Sequence, residues 1–300
     1  MLKVGIVGIG NLGKALSQRL QHCTDFELVA KFSRRNIKDC ISFEQIFEYQ
    51  DKIDLLFLCG GSQNELESHA KNLISHFNIV ESYDNHSRLE SHIGNINSMA
   101  IKHKKIAICS AGWDPGLFSL MRGLFDSLGF VPYSFWGKGL SQGHTQAIKQ
   151  ITGVEDALQF TIPNQEALQK IIDGHDVESG AHLHKRECYV VAKSELHKDI
   201  ENAIKSMPHY FADYQTTVQF VSQEDLNKLK DFSHKGQVLT QNNEINFSLN
   251  LPSNPDFTAS VMSTFARAIA RLKEERKYGA YTIFDLPFEY ILTKNKYQFL

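Results

Sequence analysis

The chain opens Met1-Leu2-Lys3-Val4-Gly5-Ile6-Val7-Gly8-Ile9-Gly10-Asn11-Leu12-Gly13, and this stretch decides the fold. Residues 3–7 form a short apolar run of strand character that ends in a glycine cluster. A helical pattern follows at once, with Leu12, Ala15, Leu16 and Leu20 on one face. Gly-x-Gly-x-x-Gly alone is a weak signal, because glycines also make ordinary turns. Here the motif closes a strand and opens a helix, which gives each glycine a task. Gly8 permits the tight turn, Gly10 lets a pyrophosphate approach the backbone, and Gly13 lets helix and strand pack closely. The helix N-terminus then offers free N–H groups and a positive dipole end. A dinucleotide site is the favoured reading, and a purely structural glycine turn is the alternative.

Working outward, residues 27–32, 53–59, 78–82 and 105–109 read as further strands, with amphipathic stretches such as 64–77 between the later ones. Alternating strands and helices predict an α/β fold, a Rossmann-type doubly wound parallel sheet over residues 1–130. The end of the second strand selects the cofactor. An acidic residue there would grip a ribose 2′-hydroxyl, but this chain has Ser33-Arg34-Arg35. A hydroxyl and two guanidiniums suit a 2′-phosphate, so NADP is expected; a solvated basic turn is the alternative. Beyond residue 130 the pattern mixes strands, near 134–136, 187–192 and 216–221, with helices. That predicts a second, α+β domain over 131–254 for substrate binding and dimerisation. Residues 256–275 place Val261, Phe265, Ile269 and Leu272 on one helical face, so 255–300 should complete the first domain.

Composition excludes several classes. The chain has 300 residues, 42% hydrophobic and 22% charged, with a formal net charge of −2 and no basic tail, so neither nucleic acid nor a membrane surface is an expected partner. No apolar run approaches the roughly 18 residues a membrane helix needs. The start at a strand argues against a signal peptide. Cys23, Cys40, Cys59, Cys109 and Cys188 lack metal-type spacing and read as free thiols in a reducing, cytoplasmic setting.

Two segments fall at strand ends, where ligands of open α/β sheets bind: Ser82-Tyr83-Asp84-Asn85-His86 and Ser110-Ala111-Gly112-Trp113-Asp114-Pro115-Gly116. Paired carboxylates there suit a substrate ammonium. Asp114-Pro115 equally reads as a helix N-cap followed by Pro at the first helical position, and Asp84-Asn85 as a turn. The segment 135–144 is glycine-rich and could hold a carboxylate on backbone N–H groups with Trp136 as a wall, or be a plain loop. Thr161 ends an apolar segment. Residues 182, 184, 186 and 188 would share one strand face, where Arg186 could grip a carboxylate bidentately or make a surface ion pair. A metal on His182, His184 and Cys188 is disfavoured, and none is expected elsewhere. Asp256 reads as a cap, leaving Asn254 to a ligand, and His234 as a surface loop histidine.

Taken together, residues 8–13, 32–35, 56–59, 83–86, 112–116, 135–137, 139–144, 184–186 and 254–260 closely resemble the meso-diaminopimelate D-dehydrogenase family over nearly the whole chain. The resemblance implies NADP-dependent oxidative deamination of the D-centre of meso-2,6-diaminopimelate to L-2-amino-6-oxopimelate and ammonia, in lysine and cell-wall precursor synthesis, by a homodimer. It implies a substrate set of Asp84, Asp114, Trp136, Gln142, Gly143, Thr161, Arg186, His234 and Asn254. Of these, Asp84 and Asp114 would serve the reacting amine, with an aspartate or a bound water as base. Arg186, Thr161 and His234 would hold the distal L-end. The implied cofactor contacts are Gly8, Gly10, Asn11, Leu12, Gly13, Ser33, Arg34, Arg35, Cys59, Gly60, Ser62, Tyr83, Asp84, Gly112, Trp113, Asp114 and Pro115. The chain departs from the family at Cys59-Gly60-Gly61-Ser62, which carries an extra glycine, and at Lys230-Asp231-Phe232-Ser233. Competing readings are another NADP-dependent reductase of similar plan and a non-catalytic NADP(H)-sensing protein.

Overall fold

The computed structural model describes residues 1–61, 65–178, 180–208, 210–230 and 233–300. The chain divides into two compact units: Met1–Leu120 with Pro255–Leu300, and Met121–Asn254. The sequence pattern puts this division near residue 130. The chain passes it within a helix, Leu117–Ser127, which no periodicity argument would cut.

Unit 1 holds β1 (Leu2–Val7), β2 (Phe26–Ser33), β3 (Ile41–Ser42), β4 (Leu55–Leu58), β5 (Asn78–Glu81) and β6 (Ile106–Ile108). With Gly279–Tyr281 they form a seven-stranded sheet in the order Gly279–Tyr281, β6, β5, β4, β1, β2, β3. Every pairing is parallel. Such a sheet is covered on both faces, which is why its strands are near-continuous apolar runs. Successive residues serve opposite cores. Val4, Ile6, Leu55 and Phe57 pack with Leu16 and Leu20 of α1 (Asn11–Leu20), and with Val261, Phe265, Ile269 and Leu272. Val7, Leu56 and Leu58 pack with Leu73, Ile96 and Ala100 on the other face. The expected helix over 256–275 is two segments, Asn254–Ala266 and Ala268–Glu274. The strand order reverses between β1 and β4, and the crevice at that switch point is the predicted ligand position.

Unit 2 is a six-stranded mixed sheet of β7 (Tyr133–Leu140), β8 (Val154–Pro163), β9 (His184–Ala192), β10 (Gln215–Phe220), β11 (His234–Leu239) and β12 (Asn246–Leu251). Its order is β10-β9-β8-β7-β11-β12. Only β9 and β10 run parallel. Ile148, Ile200 and Ile204 pack against Ala157, Cys188 and Val190 on one face, and Leu140, Leu158, Phe160 and Leu226 cluster on the other.

Candidate active site

In unit 1 the glycines take up the tasks their spacing predicts. Gly8 sits at φ +92°, and a side chain on Gly13 would run into the Gly8 carbonyl, so α1 must start where it does. A Cβ on Gly10 would meet nothing within 4 Å, which leaves room for a pyrophosphate. No side chain caps α1 and no acid lies in its first turn, so its N–H groups and dipole remain for an anion. These residues fit a dinucleotide. Asn11 and Leu12 form the first turn of α1. At the end of β2 the buried Ser33 hydroxyl accepts the Arg35 N–H at 3.0 Å and fixes the turn. Arg34 and Arg35 stand exposed there. The Arg34 guanidinium pairs with the Glu65 carboxylate, a partner the sequence did not disclose. Cys59 is buried, its thiol pushed up to about 12 by that burial, and its carbonyl lies against Gly8. A side chain on Gly60 would press on Glu65. Ser62 lies outside the described residues.

Asp84 and Asp114 follow β5 and β6, neighbouring strands, at their carboxyl ends. Asp84 is exposed beside the buried Tyr83, whose ring stacks on His92 with centroids 4.1 Å apart. The capping reading of Asp114-Pro115 is corrected. Helix Leu117–Ser127 begins beyond both residues, and Pro115 is not its first position. Residues 112–116 instead form a tight turn in which Leu117 N bonds Gly112 O and Gly112 N bonds Pro115 O. Trp113 closes the turn edge-on to Phe118, 5.0 Å away.

In unit 2 four residues form one transverse row of the sheet: His234 pairs with Gly139, Gly139 with Thr161, and Thr161 with Arg186. Directly opposed residues share a face, so their side chains point the same way. A side chain on Gly139 would strike the His234 ring, so the glycine is where that ring lies. Arg186 is 6% exposed, donates to the Thr161 hydroxyl and lies 4.0 Å over the Tyr214 ring. Among the described residues it has no carboxylate partner. A buried cation without a counter-ion costs several kcal/mol, roughly, until an anion arrives. Burial lowers the guanidinium pKa, and Tyr214 opposes that shift. Trp136 joins the same face and stacks on His184 at 4.5 Å; its main-chain N–H donates to His184 Nε2 at 2.9 Å. Burial, and then the Arg186 charge, lowers His184 to about 3, so the ring stays a neutral acceptor.

Several expectations change here. His234 is buried as the first residue of β11, not a surface loop residue. The segment 135–144 is mostly strand, with its residues up to Leu140 in β7. Gln142 and Gly143 open helix Gln142–Lys149 under an N-cap at Ser141. His182 lies exposed ahead of β9, so the shared face begins at His184. Asn254 and Asp256 both lie inside the first turn of Asn254–Ala266, so Asp256 does not cap it.

Comparison with known proteins agrees with this geometry. Residues 112–253 match the diaminopimelic acid dehydrogenase C-terminal domain. The meso-diaminopimelate D-dehydrogenase of Ureibacillus thermosphaericus is 40% identical over 314 residues, covering 98% of this chain and 96% of that protein. The chain belongs to the meso-diaminopimelate D-dehydrogenase family. The structure of the C. glutamicum family member in complex with DAP superposes with a TM-score of 0.94 at 34% identity, covering 99% of this chain and 97% of the other. An engineered D-amino acid dehydrogenase bound to NADP+ gives 0.91 at 33% identity, covering 99% and 98%. Two further features of unit 1 lie outside the site residues that the sequence singles out. A cavity of about 340 Å³, lined by Lys3, Asp54, Asn78 and Lys105, lies at the amino ends of the strands, opposite the glycine turn. Glu81, His92 and Cys109 bring donor atoms within 4.8 Å of one another, but the Glu81 carboxylate is already bonded to Tyr83 N and His92 Nε2. No helix among the described residues is long and apolar enough to cross a membrane.

Proposed function

We propose that the substrate is held by opposite charges at its two ends. The enzyme catalyses the NADP-dependent, reversible oxidation of the D-amino centre of meso-2,6-diaminopimelate to an imine, which water hydrolyses to L-2-amino-6-oxopimelate and ammonia. Bound NADP supplies the hydride acceptor. Asp84 and Asp114 receive the ammonium of the D-centre, orient its C–H and lower the cost of its charge; the proton leaves to one of these carboxylates or to a water they hold. Arg186 with Thr161 and His234 binds the distal carboxylate, Trp136 forms a flat wall, and Gln142, Gly143 and Asn254 complete the polar lining. Hydride transfer is the cofactor's own chemistry, so the protein contributes position and charge.

The observation that carries this reading is the buried Arg186, which has no carboxylate partner among the described residues and stands in one row with Thr161 and His234. Arg186→Lys keeps the charge but loses the planar fork, so it should not behave conservatively. Binding energy from the remote end is spent on orienting the D-centre, so kcat as well as KM should suffer. Steady-state kinetics on diaminopimelate and on a D-amino acid lacking the distal carboxylate decide it. Loss on diaminopimelate alone is expected; equal loss on both would place Arg186 at the reacting end or in the fold.

We further infer a cytoplasmic homodimer. Five unpaired thiols suit a reducing compartment. Leu124, Leu128 and Val131, neighbours in sequence, are 49%, 59% and 57% exposed, and exposed apolar side chains that gather on a surface mark interfaces. Sedimentation should give a dimer that Leu124→Glu with Leu128→Glu dissociates; a wild-type monomer would end the inference.

A further inference from the structure

β5 reads Asn-Ile-Val-Glu, and its last residue is the anomaly: Glu81 is a carboxylate with 0% exposure that follows the buried Ile79 and Val80. A buried charge is retained only when its hydrogen bonds are made. One carboxylate oxygen accepts the backbone N–H of Tyr83, two residues on. The other lies 3.1 Å from His92 Nε2. His92 is itself buried, and its ring stacks on the Tyr83 ring. The main-chain oxygen of Glu81 accepts the N–H of Ala111 at 2.8 Å. The turn that follows is packed close, since a Cβ on Gly112 would lie 3.6 Å from the Ser82 Cβ and 3.0 Å from the Pro115 oxygen.

One residue therefore ties down the starts of both turns that carry site carboxylates. Its side chain fixes the backbone one residue before Asp84, and its carbonyl fixes the backbone three residues before Asp114. His92 braces the arrangement twice, by its bond to Glu81 and by its stack on Tyr83. An apolar residue at 81 would bury as well and keep the carbonyl bond, but it would leave Tyr83 N–H without this acceptor and His92 without its partner. Burial alone does not call for a carboxylate at this position.

We propose that Glu81, braced by His92, is a positioning residue for the reacting end: it sets the backbone of the Asp84 and Asp114 turns without touching substrate or cofactor. This rests on the assignment of Asp84 and Asp114 to the reacting amine. Misplacing a reacting group by about 1 Å costs about 100-fold in rate, and a shift of that kind is what the loss of Glu81 should produce.

The test uses Glu81→Gln, Glu81→Asp, His92→Phe, Asp84→Asn and the double variant Glu81→Gln/Asp84→Asn. Melting temperature, NADP affinity by fluorescence titration, kcat and KM for meso-diaminopimelate, and the isotope effect of deuterium at the D-carbon are measured for each. Expected for Glu81→Gln are near-native melting and NADP affinity, kcat lowered about 100-fold, KM altered far less and a larger isotope effect. Glu81→Asp, which can still reach the N–H two residues on, should recover much of the rate. His92→Phe, which keeps a ring against Tyr83, should fall between. The double variant should lose little more than Asp84→Asn alone, because Glu81 acts through that turn. Native kcat in a folded Glu81→Gln, or additive losses in the double variant, overturns the proposal. If Glu81→Gln does not fold, His92→Phe and Glu81→Asp decide the matter by the same division between kcat and KM. Near-native turnover in Asp84→Asn would instead overturn the assignment of the reacting end, an outcome distinct from failure of Glu81 alone.

Discussion

Arg34 shows how far a single side chain can be read. Its place at the end of β2, about twenty residues beyond the glycines, marks it for a 2′-phosphate. The structure adds that its guanidinium pairs with Glu65, whose chain position gives no hint of the contact. Both side chains are well exposed, 59% and 36%, so the pair is weak and can yield to a doubly charged phosphate. Glu65 is then a competitor for the cofactor's charge and a latent partner for a ribose hydroxyl. Replacing Arg34 and Arg35 by Gln should raise the Kd for NADP at least about tenfold more than that for NAD, roughly one charge-assisted contact. Glu65→Gln should act oppositely and tighten NADP. Equilibrium titration of both cofactors checks this, and equal weakening by the Arg changes would make the pair a support for the turn.

At the scale of elements, legibility follows period. β1, β4, β5 and β6 lie in a sheet covered on both faces, and their short, largely apolar runs are visible in the sequence. β7 is different. Trp136 and Gly139 are three residues apart, so a regular strand would send them to opposite faces. The pairing of β7 with β11 slips between His234 and Gly236, and Trp136 stands opposite Gly236 while Gly139 stands opposite His234. That irregularity adds a residue and brings Trp136 onto the face of Thr161 and Arg186. Period counting cannot see such a slip, which is why residues 135–144 read as a glycine-rich segment, either a cradle for a carboxylate or a plain loop. The same limit applies to Asp114-Pro115. Its composition is that of a helix start, but the turn is built by main-chain bonds between Gly112 and Leu117 that no residue type announces. Site residues carried by the family resemblance fall on strands, turns and helix starts, several of which local pattern alone would have left ambiguous. Glu81 and His184, absent from that set, leave one trace each: a charge closing an apolar strand, and a histidine alternating with Arg186.

For the whole molecule, the cost of a cationic site appears in its pH dependence. Unit 2 buries histidines around Arg186: burial and then the guanidinium lower His144 and His184 to about 3, and burial lowers His234. All three are neutral in the folded chain near neutral pH. Unfolded, each returns to an ordinary pKa of about 6.5. Between these limits the unfolded state binds more protons, so stability falls as pH falls below about 6.5 and each histidine adds a slope of at most about 1.4 kcal/mol per pH unit. Asp54 and Asp156, for which desolvation is outweighed by hydrogen bonds and lysine charges that lower the pKa, lose stability in the same direction, but only below about 4. The window from about 6.5 to about 5 therefore isolates the histidines. The chain carries two tryptophans, Trp113 in unit 1 and Trp136 in unit 2, so Trp113→Phe leaves an emission that reports on the sheet face holding Arg186. Urea unfolding of that variant at intervals across the window should show stability rising with pH and levelling near about 7. His184→Gln keeps an acceptor for the Trp136 N–H and removes one titrating ring, so its slope should be shallower by one proton. A stability independent of pH across this window, or an unchanged slope in His184→Gln, would show that these rings protonate in place and that Arg186 is not set in the low-dielectric site that gives a distal carboxylate its value.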